Sequence, residues 1–179
     1  MKTHVLILSK TFPKWHPKAG QPTYFKEKMH NGLLWNKGMN IGYSQTPSYA
    51  IPGDIQLKLH TLRGNYERWE KIFVEIDRGE ACLVLKQWSG VPYRSKQETI
   101  AVLTKEDGIG LQKLDLKLAS FSPFYIEVDR IDEERRTDTI HVGLLANNDG
   151  LSLTDWQFWF EKYDLSKPLA IIHFTSFRY

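Results

Sequence analysis

The chain has 179 residues, 41% hydrophobic and 25% charged, with a net charge of +3. That is enough apolar material for a full core, and too little charge for a disordered segment or a polybasic tail. The charge is uneven: residues 1–63 carry nine Lys/Arg against two Asp/Glu, a net of +7, whereas residues 101–179 carry nine against thirteen, a net of −4. Such a distribution does not suit a DNA-coating protein, but it can steer an anionic partner toward the N-terminal part.

The opening MKTHVLILSKTF holds a short apolar run and no small-residue cleavage site, so HVLIL (4–8) reads as a first strand rather than a signal peptide. SKTFPKWHPKAGQP (9–22), with three prolines and a glycine, must be largely loop, and His16 is expected on its surface. TYFKEKMHNG (23–32) predicts a short helix capped by Thr23 and stopped by Gly32, with Phe25 and Met29 on one face. Residues 33–56 show no sustained period and are rich in Gly, Pro, Ser and Asn, and they read as an inserted excursion.

LKLHTLRGNY (57–66) concentrates a lysine, a histidine, a threonine and an arginine within six positions. An extended Lys58–Arg63 segment sends Lys58, His60 and Leu62 to one face and Leu59, Thr61 and Arg63 to the other, and a turn at Gly64-Asn65 ends it. YERWEKIFVEIDRGE (66–80) places Trp69, Ile72, Phe73 and Ile76 at helical spacing, with Gly79 closing the helix. Four strands are then predicted, at 81–88, 96–104, 109–118 and 124–128, separated by turn-rich stretches. The one cysteine, Cys82, lies in the apolar run ACLVL, which excludes an intrachain disulfide or a Cys-based zinc site. RTDTIHVGLLANNDG (136–150) predicts a helix ending at Asp149-Gly150, and SLTDWQFWFEKY (152–163) a second one capped by Ser152 or Thr154. LAIIHFTSF (169–177) is the last strand, in which His173 reads as a satisfied core or edge histidine. This order suggests an α+β domain, or a partly closed barrel with helices outside it.

No window reaches the roughly eighteen apolar residues of a membrane span, and the single thiol fits a reducing cytoplasm. The six histidines are scattered and none of the common nucleotide, zinc or hydrolase motifs occurs, so no metal and no cofactor is expected. Basic residues interleaved with aromatics recur at KQWSGVPYRSK (86–96), where Trp88, Tyr93 and Arg94 surround a Gly/Pro turn. Aromatics stack bases and arginine forks onto phosphate, so this pattern suits single-stranded nucleic acid or a nucleotide.

The stretch from Phe25 through Met29 to Gly32, followed by K-x-H-T-x-R at Lys58 to Arg63, resembles the opening helix, glycine, lysine and T-x-R signature of the ASCH domain family. LLANNDGLSLTDWQFWFEKY followed by LAIIHF is similar to its closing helices and last strand. Relatives place the lysine soon after the glycine, whereas about twenty-five residues intervene here, which makes 33–56 an insertion within one domain spanning 1–179. The resemblance implies a PUA-like, partly closed β-barrel of about six strands with flanking helices. It also implies a cleft for RNA or a nucleotide-like ligand; Lys58, Thr61 and Arg63 of the motif, together with Trp88, Tyr93 and Arg94 of the basic-aromatic turn, are expected to line it. A minority of relatives look like enzymes that hydrolyse the acetyl amide of acetylcytidine with a lysine, a threonine and a glutamate. Lys58 and Thr61 match the first two positions, and Asp149, one methylene shorter than glutamate, matches the third. A further alternative is a non-catalytic module whose aromatic-rich insertion docks another protein.

Overall fold

The computed structural model describes residues 1–38, 56–118, 125–129, 137–164 and 166–179. The first strand, β1 (Lys2–Ile7), pairs in parallel with β3 (Ala81–Trp88), which also pairs antiparallel with β4 (Gln97–Leu103). The first five residues of β3, ACLVL, are all buried, as a strand bonded on both sides and covered by a helix requires. The covering helix is α2 (Tyr66–Asp77), which buries Trp69, Ile72, Phe73 and Ile76 as the helical period predicts. Asn65 caps it, accepting the Arg68 amide from a left-handed backbone.

A second sheet runs in the order β2 (His60–Arg63), β8 (Leu169–His173), β5 (Gly110–Leu118), β6 (Tyr125–Asp129), β7 (Thr137–His141), with every pairing antiparallel. All five residues of β8 are buried, because β2 and β5 flank it and α2 packs against it. The core is one contiguous cluster that includes Leu6, Met29, Leu62, Ile76, Leu85, Leu145 and Phe174. No helix among the described residues is long and apolar enough to cross a membrane.

The expected partly closed barrel is not formed. The strands divide into a three-stranded and a five-stranded sheet, each open, with β1 and β4 the edges of one and β2 and β7 the edges of the other. Apolar alternation reports which face of a strand is buried. It does not report which strands bond, and the parallel β1–β3 pairing puts the first strand in the smaller sheet, apart from β2 and β8.

Three local expectations also change. The helix predicted over 23–32 is α1 (Phe25–Asn36), which runs past Gly32 and takes in the start of the presumed excursion. Gly32 does not stop it; there the helix meets the chain of Lys58, and a Cβ would lie 2.6 Å from the Lys58 carbonyl oxygen. The rest of the excursion, 39–55, lies outside the described residues. TDTIH, read as the start of a helix, is β7, and only Val142–Asn148 is helical (α3). β8 ends at His173 rather than continuing to Phe177.

Candidate functional site

The segment before β2 is held from three sides. The Lys58 amide donates to the Lys28 carbonyl of α1 (3.0 Å), the Leu59 amide to the Asn148 carbonyl at the end of α3 (2.8 Å), and the Leu59 carbonyl accepts from Phe174 (2.8 Å). Lys58 is therefore fully buried, and it meets Asp149, the residue after α3. Its ammonium donates to the Asp149 carboxylate and to the Asp149 carbonyl oxygen (2.6 Å), and lies 4.0 Å from the centre of the Phe25 ring.

The chain turns sharply here because ANNDGL closes α3 in a Schellman turn. Leu151 N–H bonds the Ala146 carbonyl, Gly150 N–H bonds the Asn147 carbonyl, and Gly150 has φ +77°. A carboxylate at a helix C-terminus opposes the helix dipole, and Lys58 offsets both. Lys28 adds a second buried cation, donating to the Gly150 carbonyl at 2.7 Å.

Burial lowers the Lys58 ammonium to about 8 against the pull of Asp149, with Arg63 assisting the decrease. Lys28 falls to about 8 as well, first through burial and then through Lys58. Burial raises the Asp149 carboxyl, opposed by Lys58. The Thr61 hydroxyl accepts from Arg63 at 3.0 Å.

Arg63 connects the two sheets. It donates to the Ile7 carbonyl at the end of β1 (2.8 Å) and to its own strand at Leu62 (2.8 Å). Burial lowers its guanidinium below the ordinary value, opposed by Tyr163 and Asp149. Beyond it opens a cleft of about 810 Å³, lined by Arg63, Lys10 and Lys14 and by no acid among the described residues. The cleft walls are aromatic: Phe12 from the 9–22 loop, Trp159 and Tyr163 from α4 (Leu153–Phe160) and the turn after it, and Trp88 and Tyr93 across the mouth. Trp88 and Tyr93 touch, with ring centres 5.3 Å apart, and Tyr93 is 89% exposed with φ +65°. A non-glycine residue held there is strained by roughly 1–3 kcal/mol, which the turn of 89–95 must offset. Ser95 braces that turn through Gly90 and Val91.

The 9–22 loop is fixed in place. His16, expected on the surface, is 3% exposed and locked onto α4. Its Nδ1 accepts the Lys18 amide (3.0 Å), which leaves Nε2–H to donate to the Asp155 carbonyl (3.1 Å). Lys18 pairs with the Asp155 carboxylate at 2.7 Å, and Thr23 ties the loop's end to Ser9.

The expected residues thus fall in two places. Arg63, Trp88 and Tyr93 line the cleft; Arg94 is exposed on the same turn without lining it. Lys58 and Asp149 meet beneath it, behind Phe25, whose ring touches both Lys58 and the cleft-lining Trp159 (5.4 Å). The sequence reading missed Lys10, Phe12, Lys14, Trp159 and Tyr163. KTFPK interleaves basic and aromatic residues just as 86–96 does, so the same signal was present there. Among the described residues no three His, Cys, Asp or Glu side chains cluster as a metal site would require. Comparison of the chain with protein-family models, curated protein sequences and solved structures gives no match.

Proposed function

We propose that the chain is a binding domain that holds RNA or a nucleotide in the cleft beyond Arg63, acting in a reducing cytoplasm with Cys82 as a free thiol. The observation that carries this reading is the lining itself: three cations, five aromatics and no acid among the described residues, in a volume inside the roughly 300–1,000 Å³ usual for ligand sites. Aromatic faces stack bases, Lys14 meets phosphate, and Lys10 and Arg63, which also donate to the Ser89 carbonyl and to Ile7, Leu62 and Thr61 respectively, add positive charge behind it. The fixed 9–22 loop lowers the ordering cost of binding. The test is titration of the protein with single-stranded RNA and with nucleoside monophosphates, followed by fluorescence of the cleft tryptophans. Saturable binding that weakens with added salt supports the reading, and no binding at micromolar protein removes it.

A second reading rests on the direct contact of Lys58 with Asp149. A lysine held near 8 is neutral in about a tenth of molecules at pH 7. In that form it can take a proton from a water attacking the acetyl amide of acetylcytidine and pass it to the leaving amine, so that acetate and cytidine form together. Alternatively it takes the proton from Thr61, whose attack expels the protonated amine as cytidine and leaves an acetyl ester that water then hydrolyses to acetate. The substrate would have to pass Phe25 and Trp159 to reach it. Incubation with acetylcytidine tests this: release of cytidine that is lost in both Lys58→Ala and Asp149→Asn supports it, and no release by the unaltered protein ends it.

A further inference from the structure

A second cleft, of about 760 Å³, adjoins the first, and its lining is mixed, with three carboxylates and two lysines where the first has cations alone among the described residues. Tyr163 lines both, and the chain passes from Arg63 in one directly to Gly64 in the other. Beyond Tyr163 the charged groups are Glu67, Glu70 and Asp164, with Lys113 and Lys167. Lys167 and Asp164 offset each other, which leaves Glu67 and Glu70 against Lys113. Lys167 lies 3.3 Å from the Asp164 carboxylate, and Lys113 lies 4.0 Å from Asp115 and 6.0 Å from the centre of the Tyr66 ring. Glu67 and Glu70 stand on the first turns of α2, one helical turn apart, facing the same cleft. The groove on the far side of Tyr163 thus has a net negative lining, carried by Glu67 and Glu70.

A nucleic-acid strand carries a phosphate at every step. A strand threaded through the basic cleft and past Tyr163 would place its next phosphates beside Glu67, Glu70 and Asp164. The side of the cleft at the Trp88–Tyr93 turn is lined by no carboxylate among the described residues. Resting on the binding reading above, we infer that the basic cleft takes a nucleotide with a free end, either a mononucleotide or the last residue of a single strand, and not the interior of a continuous strand. Tyr163 is the stop, and the acidic groove excludes the phosphate that would follow.

The experiment displaces a fluorescently end-labelled single-stranded oligonucleotide from the protein with three unlabelled probes. They are a nucleoside monophosphate, the linear oligonucleotide, and the same sequence closed into a circle large enough to stay flexible. The linear strand should compete at least about tenfold better than the circle, which has the same phosphates and bases but no end. A monophosphate matching the linear strand identifies the free nucleotide as the source; one much weaker identifies the strand end. A circle that competes as well as the linear strand overturns the inference and leaves the binding reading intact. Failure of the labelled strand itself to bind removes the binding reading, and this inference with it. In the triple variant E67Q/E70Q/D164N the disadvantage of the circle should shrink several-fold, because the carboxylates that repel its continuing phosphates are gone. An unchanged disadvantage would show that the acidic groove is not the stop.

Discussion

Tyr93 and Lys14 are the residues through which the cleft can be probed most cleanly. Both are exposed and both line it. Tyr93→Ala removes a stacking face and should weaken single-strand or nucleotide binding by roughly 1–3 kcal/mol. It should also relieve little or none of the core packing, so equilibrium binding with an unchanged Tm checks it. Arg63 is a less clean probe, because its guanidinium also bonds the Ile7 carbonyl and Thr61 and joins the two sheets. Arg63→Ala should therefore lower both affinity and stability, whereas Lys105→Ala, remote from the cleft on an exposed turn, should change neither. The buried histidines give a prediction about pH. The Tyr179 hydroxyl receives the Asn148 amide and bonds His60 Nε2 at 2.8 Å. His60 Nδ1 and both nitrogens of His173 find no hydrogen-bond partner among the described residues. Burial holds both rings well below 6.5, assisted at His60 by His173 and Lys58 and at His173 by Arg178. The unfolded chain takes up protons below about pH 6.5 while the folded chain resists. Stability is therefore complete above that pH and should fall as pH decreases through it, by up to about 1.4 kcal/mol per unit for each ring. Urea unfolding at pH 7.5 and 5.5 checks this, and His173→Leu should flatten the dependence.

At the scale of the element, the junction of α1, the Lys58 segment and the end of α3 decides where the polar groups sit. Gly32 is the contact point, and a methyl group there would collide with the Lys58 carbonyl oxygen, which is backbone and cannot rotate away. Gly32→Ala should destabilise the fold by about 1–3 kcal/mol, measured by denaturant midpoint, as overpacking at a close helix contact does. The glycine was visible in the sequence, but its role was not. A glycine after an amphipathic run looks the same whether it ends a helix or lets one pass close to another chain. The Asp149-Gly150 turn was legible, since a helix that ends in a Schellman turn favours glycine at the left-handed position. α2 was legible too, because its period is carried by four large apolar residues. β7 was not: TDTIH is followed at once by the apolar residues of α3, and the helical pattern of the second masked the β-branched character of the first.

Across the whole molecule, the charge asymmetry read from the sequence, +7 over residues 1–63 against −4 over 101–179, has a partial counterpart at the two adjoining clefts. The basic one draws Lys10, Lys14 and Arg63 from the N-terminal part, whereas of the second cleft's carboxylates only Asp164 comes from the acidic 101–179 part, Glu67 and Glu70 lying in the neutral segment between. The barrel was not legible because closure is a property of strand pairing, and pairing depends on crossovers that local patterning does not encode. The cleft was half legible for a related reason: Arg63 and the 88–93 turn each carry a local signal, but their convergence with the 9–22 loop depends on how the two sheets meet at Arg63. Three lining cations also limit the electrostatics. With no more than three phosphates neutralised, log K for a single strand should fall against log salt with a slope no steeper than about −2. The most direct measurement is titration of the unaltered protein and of Tyr93→Ala with a short single-stranded oligonucleotide at low and moderate salt. Binding that weakens with that shallow slope, and is at least about fivefold weaker in the variant, is the predicted result. Equal affinity in the two proteins, or affinity indifferent to salt, would contradict the account.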